Sequence, residues 1–201
     1  MSAENVGPGK LIWSGEHWIS YLRPKKSENN TGMVSLYYAD YSPAGRGTAA
    51  YVNVPGTAER SEGAGLKALC TDNRDFASFV DDQMIRNNTF LKNSPWQIEL
   101  PTLEAQFTRH GDVRKEVGLT IETDKHQIDV SWSNLRYPIV SPPTVHPQIV
   151  FTILFFADDA TISLNGKKVQ GDPYLNPAWS QSLGAPQSSC VFALAETMIA
   201  G

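Results

Sequence analysis

The sequence is poor in cysteine, in clustered cations, in long apolar runs and in the short motifs that hold cofactors. Two cysteines, Cys70 and Cys190, stand far apart in 201 residues. A disulfide scaffold is denser and a structural zinc site shows close Cys or His pairs, so both thiols are expected free and buried. Lysine and arginine number 17 against 21 acidic residues, a net charge of −4, and Lys25-Lys26 and Lys167-Lys168 are isolated pairs. Phosphate binding needs clustered cations, so nucleic acid is not the expected partner. The longest apolar run, Ile149 to Ala157, falls far short of the ~20 residues of a membrane helix. Met1 to Lys10 has no apolar stretch of the kind a signal peptide carries. A cytosolic protein without a membrane span is the expectation. On that reading the glycosylation patterns at Asn29-Asn30-Thr31 and Asn87-Asn88-Thr89 have no role.

There is no G-x-G-x-x-G after a strand, no Walker sequence, no H-E-x-x-H and no G-x-S-x-G. Gly63-Ala64-Gly65 lacks the third glycine of a phosphate loop. The four histidines, His17, His110, His126 and His146, lie apart with no carboxylate at a telling spacing. Neither a metal nor an organic cofactor is expected.

What the sequence has is β pattern. Hydrophobic residues at 41% and charged residues at 19% describe an ordinary globular chain. Residues 1–10 read as a flexible lead and 11–201 as one domain. Leu11 to Leu22 predicts a first strand with Trp13, His17, Ile19 and Tyr21 on one face and Ser14, Glu16, Trp18 and Ser20 on the other. Met33 to Tyr41 and Arg46 to Val54 predict two more, and a Gly- and Glu-rich loop opens at Pro55-Gly56. One helix is expected from a cap at Thr71 or Asp72, with Phe76, Phe79, Val80, Gln83 and Met84 at helical spacing and Asn87-Asn88 as its stop. It would plug a barrel end or pack outside. Strands follow at Leu103 to His110, Val113 to Thr123 and His126 to Ser133. After a Pro-rich connection over 138–147 come Gln148 to Ala157, a hairpin at Asn165-Gly166 and a last strand from Ser189 to Ile199. Nine or ten strands, one helix and no βαβ rhythm give a mostly β fold: a single antiparallel barrel or a sandwich.

The candidate chemistry lies on strand faces. His17 shares its face with aromatics, and Arg109 follows Leu103, Ala105 and Phe107 on an apolar face, where it needs a partner. A histidine with tyrosine and carboxylate neighbours can act as acid and base. The candidate catalytic residues are therefore His17, Tyr21 and Arg109, with His110 and Asp129 if the opposite faces line the cavity. The candidate substrate-binding residues are Trp13, Tyr37, Phe107, Trp132 and Trp179. Filling of the barrel interior and a solvated sheet face are the competing readings of these same residues.

The stretch Asn165-Gly166-Lys167-Lys168-Val169-Gln170-Gly171-Asp172-Pro173, then Asn176-Pro177-Ala178-Trp179, Ser188-Ser189-Cys190 and Phe192-Ala193-Leu194, resembles the closing strands of lipocalin-like proteins related to carotenoid hydratases (hydroxyneurosporene synthase) and fungal Diels–Alderases. The likeness covers roughly the last forty residues. Those proteins usually have two such barrels, whereas this chain has room for one. The resemblance implies a cavity that binds an isoprenoid or polyketide and a cofactor-free cyclisation, isomerisation or hydration, by holding a reactive conformer and polarising one group. The rival expectations are a carrier for a small hydrophobic molecule and a packed-barrel interaction protein, with a homodimer left open.

Overall fold

A computed structural model describes residues 9–56, 65–86, 96–145 and 148–200. Alternation of side chains in Leu11–Leu22 (β1) makes a strand that is buried on both faces, and it stands at the middle of the sheet. On one side β2 (Gly32–Tyr41), β3 (Gly47–Val54) and β4 (Leu66–Thr71) follow as an antiparallel meander. On the other side β1 pairs with β14 (Cys190–Ala200), then come β10 (Gln148–Leu164), β8 (Gln127–Leu135), β7 (Glu116–Glu122) and β6 (Gln106–Asp112). The short β5 (Thr102–Glu104) runs parallel to β4 at the far end of this path. Two further short strands, β12 (Leu175–Asn176) and β13 (Gln187–Ser188), pair with each other apart from it. Ala105 alone separates β5 from β6, and its N–H donates to the Thr71 carbonyl at 2.9 Å. The two ends of the ten-strand path therefore meet in one stretch of chain, and the sheet curls back on itself. The fold is mostly β, and among the described residues no helix is long and apolar enough to cross a membrane.

The concave face gathers Trp18, Leu36, Val52, Cys70, Leu119, Val130, Trp132 and Phe192 into one core. Trp18 stacks on Phe192 (4.5 Å between ring centres) and meets Trp132 edge-on at 5.2 Å. Both cysteines are free and buried, and burial pushes the Cys70 thiol up to about 12.

Two layers cover the convex face. The helix α1 (Arg74–Phe79), continued by a π-helical stretch (Val80–Arg86), lays Phe76, Val80 and Met84 over Tyr37, Tyr51 and Leu69. Its cap is Asn73, whose side chain accepts from the N–H groups of Asp75 and Phe76. Thr71 and Asp72, the expected caps, hold the Thr48 carbonyl and N–H instead. The second layer is the turn at Pro177–Trp179 with α2 (Ser180–Leu183), which covers Leu154 and Phe156.

Several expectations are corrected. The loop expected from Pro55-Gly56 onward ends at β4, a strand with little β-branched content that is held by pairing with β3. The Pro-rich connection contains β9 (Ile139–Val145), which among the described residues pairs only with β10, and its two prolines fall at a register shift between Ser141 and Thr144 where the pairing is broken. Asp158-Asp159 does not end a strand: β10 runs through it, with Arg136 bonded to Asp158 at 2.8 Å. Asn165 and Gly166 adopt φ of 51° and 75° in the tight turn to β11 (Lys167–Lys168), as the Asn-Gly pair predicts. Residues 1–8, Gly63-Ala64, the Asn87-Asn88 stop and His146 lie outside the described residues.

Candidate functional site

The faces of β1 settle where the candidate residues go. Trp18 faces the concave core, so Trp13, His17 and Tyr21, on the opposite face, point outward from the barrel and under the helical layer. The register places Tyr37 opposite His17, and the two rings stack at 4.1 Å. Trp13 meets Tyr37 edge-on at 6.1 Å. Tyr21 accepts a hydrogen bond from Trp96 Nε1–H at 2.9 Å. Four of the candidate residues therefore assemble on the convex face, outside the barrel lumen.

Two residues that sequence reasoning missed complete this group. Ser35 Oγ lies 3.2 Å from His17 Nε2, and Glu196 Oε1 lies 3.7 Å from His17 Nδ1. Glu196 reaches the group through a bulge. Gly15 pairs with Glu196 and His17 with Ala193, while on the other side Thr152 pairs with Glu196 and Leu154 with Ala193. β14 thus carries an extra residue against both neighbours at Leu194-Ala195. Ala193 faces outward, and strict alternation would send residue 196 inward; the bulge returns Glu196 to the convex face beside His17. Gly15 has a separate reason on its other side, where β1 shifts register against β2 and a Cβ would stand 1.8 Å from the Tyr38 carbonyl oxygen. The readable signal was a lone carboxylate within the apolar run from Val191 to Ile199.

The electrostatics follow from burial. Desolvation lowers the His17 imidazole to about 3 and raises the Glu196 carboxyl to about 7. It raises Tyr21 to about 12 and pushes Tyr37 upward as well, so both phenols stay protonated donors. Solvent still reaches the pair: His17 keeps 19% and Glu196 11% of its side-chain surface exposed. The indole N–H of Trp13, fully buried, has no partner among the described residues.

Ser35, His17 and Glu196 have the connectivity of a hydrolase triad, yet Ser35 is not placed to attack. It is 2% exposed and lies mid-strand between β1 and β3, where the strand's N–H groups belong to the two ladders. A tetrahedral intermediate on Ser35 would find no free backbone N–H groups there. Ser35 can donate to His17 Nε2, and the Nδ1–H of that tautomer faces Glu196, while Trp96 donates to Tyr21 beside them.

No protein-family profile matches the chain, and no curated protein is significantly similar to it.

The remaining candidates lie elsewhere. Phe107 and Arg109 face a cavity of about 550 Å³ at one mouth of the barrel, floored by Trp18, Leu36 and Leu119. Arg109 is ion-paired with Glu16, and its guanidinium lies 5.0 Å from the Trp18 ring centre. Glu16 also accepts from Trp18 Nε1–H at 2.9 Å. Trp132 is core, its indole N–H bonded to the Ile19 carbonyl at 2.9 Å. Trp179 packs edge-on against Phe156 on the convex side. His110 lies exposed over Gly118. Asp129 accepts from Thr120 Oγ at 2.8 Å and from Gln127 on the outer face of β7 and β8. Alternation separates these two from the lumen, because Phe107 and Val130 take the inward positions.

Among the described residues no group of three or more His, Cys, Asp or Glu side chains could hold a metal ion.

Proposed function

We propose that the protein is a cofactor-free proton-transfer enzyme, an isomerase, cyclase or hydratase, acting on a small and mostly apolar carbonyl compound. The observation that carries this reading is the Glu196 carboxyl beside the partly exposed His17 imidazole, with Tyr37 stacked on that ring and Trp13 packed edge-on to Tyr37. A carboxyl drawn to about 7 exchanges protons in both directions near neutral pH, where a base and its conjugate acid are both available. Its carboxylate takes the proton from a carbon next to the carbonyl, the electron pair moves onto the carbonyl oxygen, and the proton returns at another carbon. Tyr37 or Tyr21 donates to the developing oxyanion. Neutral His17 holds the carboxyl through Nδ1; the 3.7 Å gap is longer than a hydrogen bond and closes in the substrate complex. The resemblance of the last forty residues to carotenoid hydratases and Diels–Alderases supports an isoprenoid or polyketide substrate.

Exchange of α-hydrogens in D2O tests this, with 2-tetralone and β-ionone as probes followed by NMR. The protein is expected to accelerate exchange, with the rate rising through a midpoint near pH 7. Glu196→Gln is expected to lose on the order of 100-fold or more of that acceleration. Catalysed exchange that survives Glu196→Gln contradicts the assignment. No acceleration with either probe favours a second reading, a carrier without chemistry, for which the separate mouth cavity speaks.

A further inference from the structure

The mouth cavity is chemically unlike the convex His17–Glu196 group, and its lining selects a different kind of ligand. Its volume of about 550 Å³ lies within the ~300–1,000 Å³ of small-molecule pockets. Phe107, half-buried, gives it an aromatic wall, Trp18 lies beneath Arg109 in its floor, and Glu16, Asp40, Asp72 and Arg109 supply its charges. The single guanidinium is already engaged, ion-paired with Glu16 and lying over Trp18. One oxygen of Asp72 accepts the Thr48 N–H at 2.6 Å. The Asp40 carboxylate has no hydrogen bond or ion pair among the described residues. Neither nearby arginine is paired with these carboxylates: Arg46 Nε donates to the Asp40 backbone carbonyl at 3.1 Å, and Arg74 faces Glu104 at 3.5 Å.

We propose that this mouth cavity binds a small organic ammonium ion carried on a flat apolar body. The body lies against Phe107, and the ammonium meets Asp40 and Asp72. An anion entering the same space would have to take Arg109 from Glu16 while facing two carboxylates that nothing in the lining neutralises. A neutral ligand would leave those carboxylates without a counter-charge. The aromatic wall adds to the selection, since π faces attract cations as well as apolar surface. The proposal is independent of the His17–Glu196 reading, because none of its residues belongs to that group.

Calorimetry of the whole chain with three indoles of matched body tests it: tryptamine, neutral tryptophol and anionic indole-3-acetate. Tryptamine is expected to bind roughly tenfold or more tighter than tryptophol, with indole-3-acetate weakest. Added salt should narrow that gap. In the Asp40→Asn, Asp72→Asn double variant tryptamine should fall to the level of tryptophol. Asp40→Asn alone, at an exposed position, keeps the comparison available should the Asp72 bond to Thr48 prove needed for folding. Glu196→Gln should bind tryptamine as the parent does, so failure of the proton-transfer reading leaves this result unaffected. Equal affinity for all three indoles, tighter binding of indole-3-acetate, or no binding of tryptamine at millimolar concentration would each overturn the proposal.

Discussion

Glu196→Gln is expected to gain roughly 3 kcal/mol of stability relative to the parent between pH 4 and pH 8. The sign follows from the proton. Glu196 titrates at about 7 in the folded chain against an ordinary value of 4.5, so the fold prefers the neutral carboxyl. That preference is fully present below pH 4.5 and is lost as pH rises through 7, where a buried carboxylate must be tolerated. Gln has the same shape and never ionises. His17 works in the opposite sense. Its imidazole titrates at about 3 when folded and 6.5 when unfolded, so its contribution is complete above pH 6.5 and is lost as pH falls toward 3. Between about pH 4.5 and 6.5 the folded parent holds one proton on Glu196 and the unfolded chain one on His17. The two slopes cancel, and the pair leaves a plateau in stability. Removing the carboxyl uncovers the His17 slope, so Glu196→Gln should lose stability steadily as pH falls across that window. Urea unfolding at pH 4, 5, 6, 7 and 8 measures both effects. A difference between variant and parent that does not change with pH contradicts the assigned protonation.

Trp18→Ala is expected to cost about 3–5 kcal/mol, the range for deleting a large buried aromatic side chain. Trp18 is 2% exposed, lies against Phe192 and Trp132, and bonds Glu16 through its indole N–H. In a domain of this size that corresponds to a fall in Tm of about 10 °C or more. Trp18→Phe keeps most of the packing and loses the hydrogen bond, and should cost much less, about 1–2 kcal/mol. The comparison separates packing from polarity. A Trp18→Ala protein within about 1 kcal/mol of the parent would mean that the barrel interior is not closed around this ring.

Much of the fold was legible because strand signals are local. The two faces of β1 were readable from alternation, and the Asn165-Gly166 hairpin from the demand of its turn for positive φ. β4 and β9 were harder to see. Leu66–Thr71 owes its extended form to pairing with β3, and Pro142-Pro143 hides an edge strand because the two prolines fall at a break in the β9–β10 register, where no ladder N–H is needed. At the site, period-two reasoning joined Trp13, His17 and Tyr21, but it could not say that the shared face is convex. That depends on curvature, a property of the whole sheet. Glu196 was out of reach for a sharper reason. Its direction is set by one extra residue in β14, and a bulge in an apolar strand leaves no mark in the hydrophobic pattern. His110 and Asp129 show the same limit from the other side, since strand alternation alone does not choose which face looks inward.

The measurement that tests the account most directly is an NMR titration of the Glu196 carboxyl carbon and the His17 ring nitrogens from pH 4 to 9. The account predicts a carboxyl that holds its proton at pH 5 and releases it with a midpoint near 7, while His17 stays neutral throughout. A Glu196 already ionised at pH 5, facing a protonated His17, would make the pair a fixed salt bridge and remove the proton exchange on which the proposed chemistry depends.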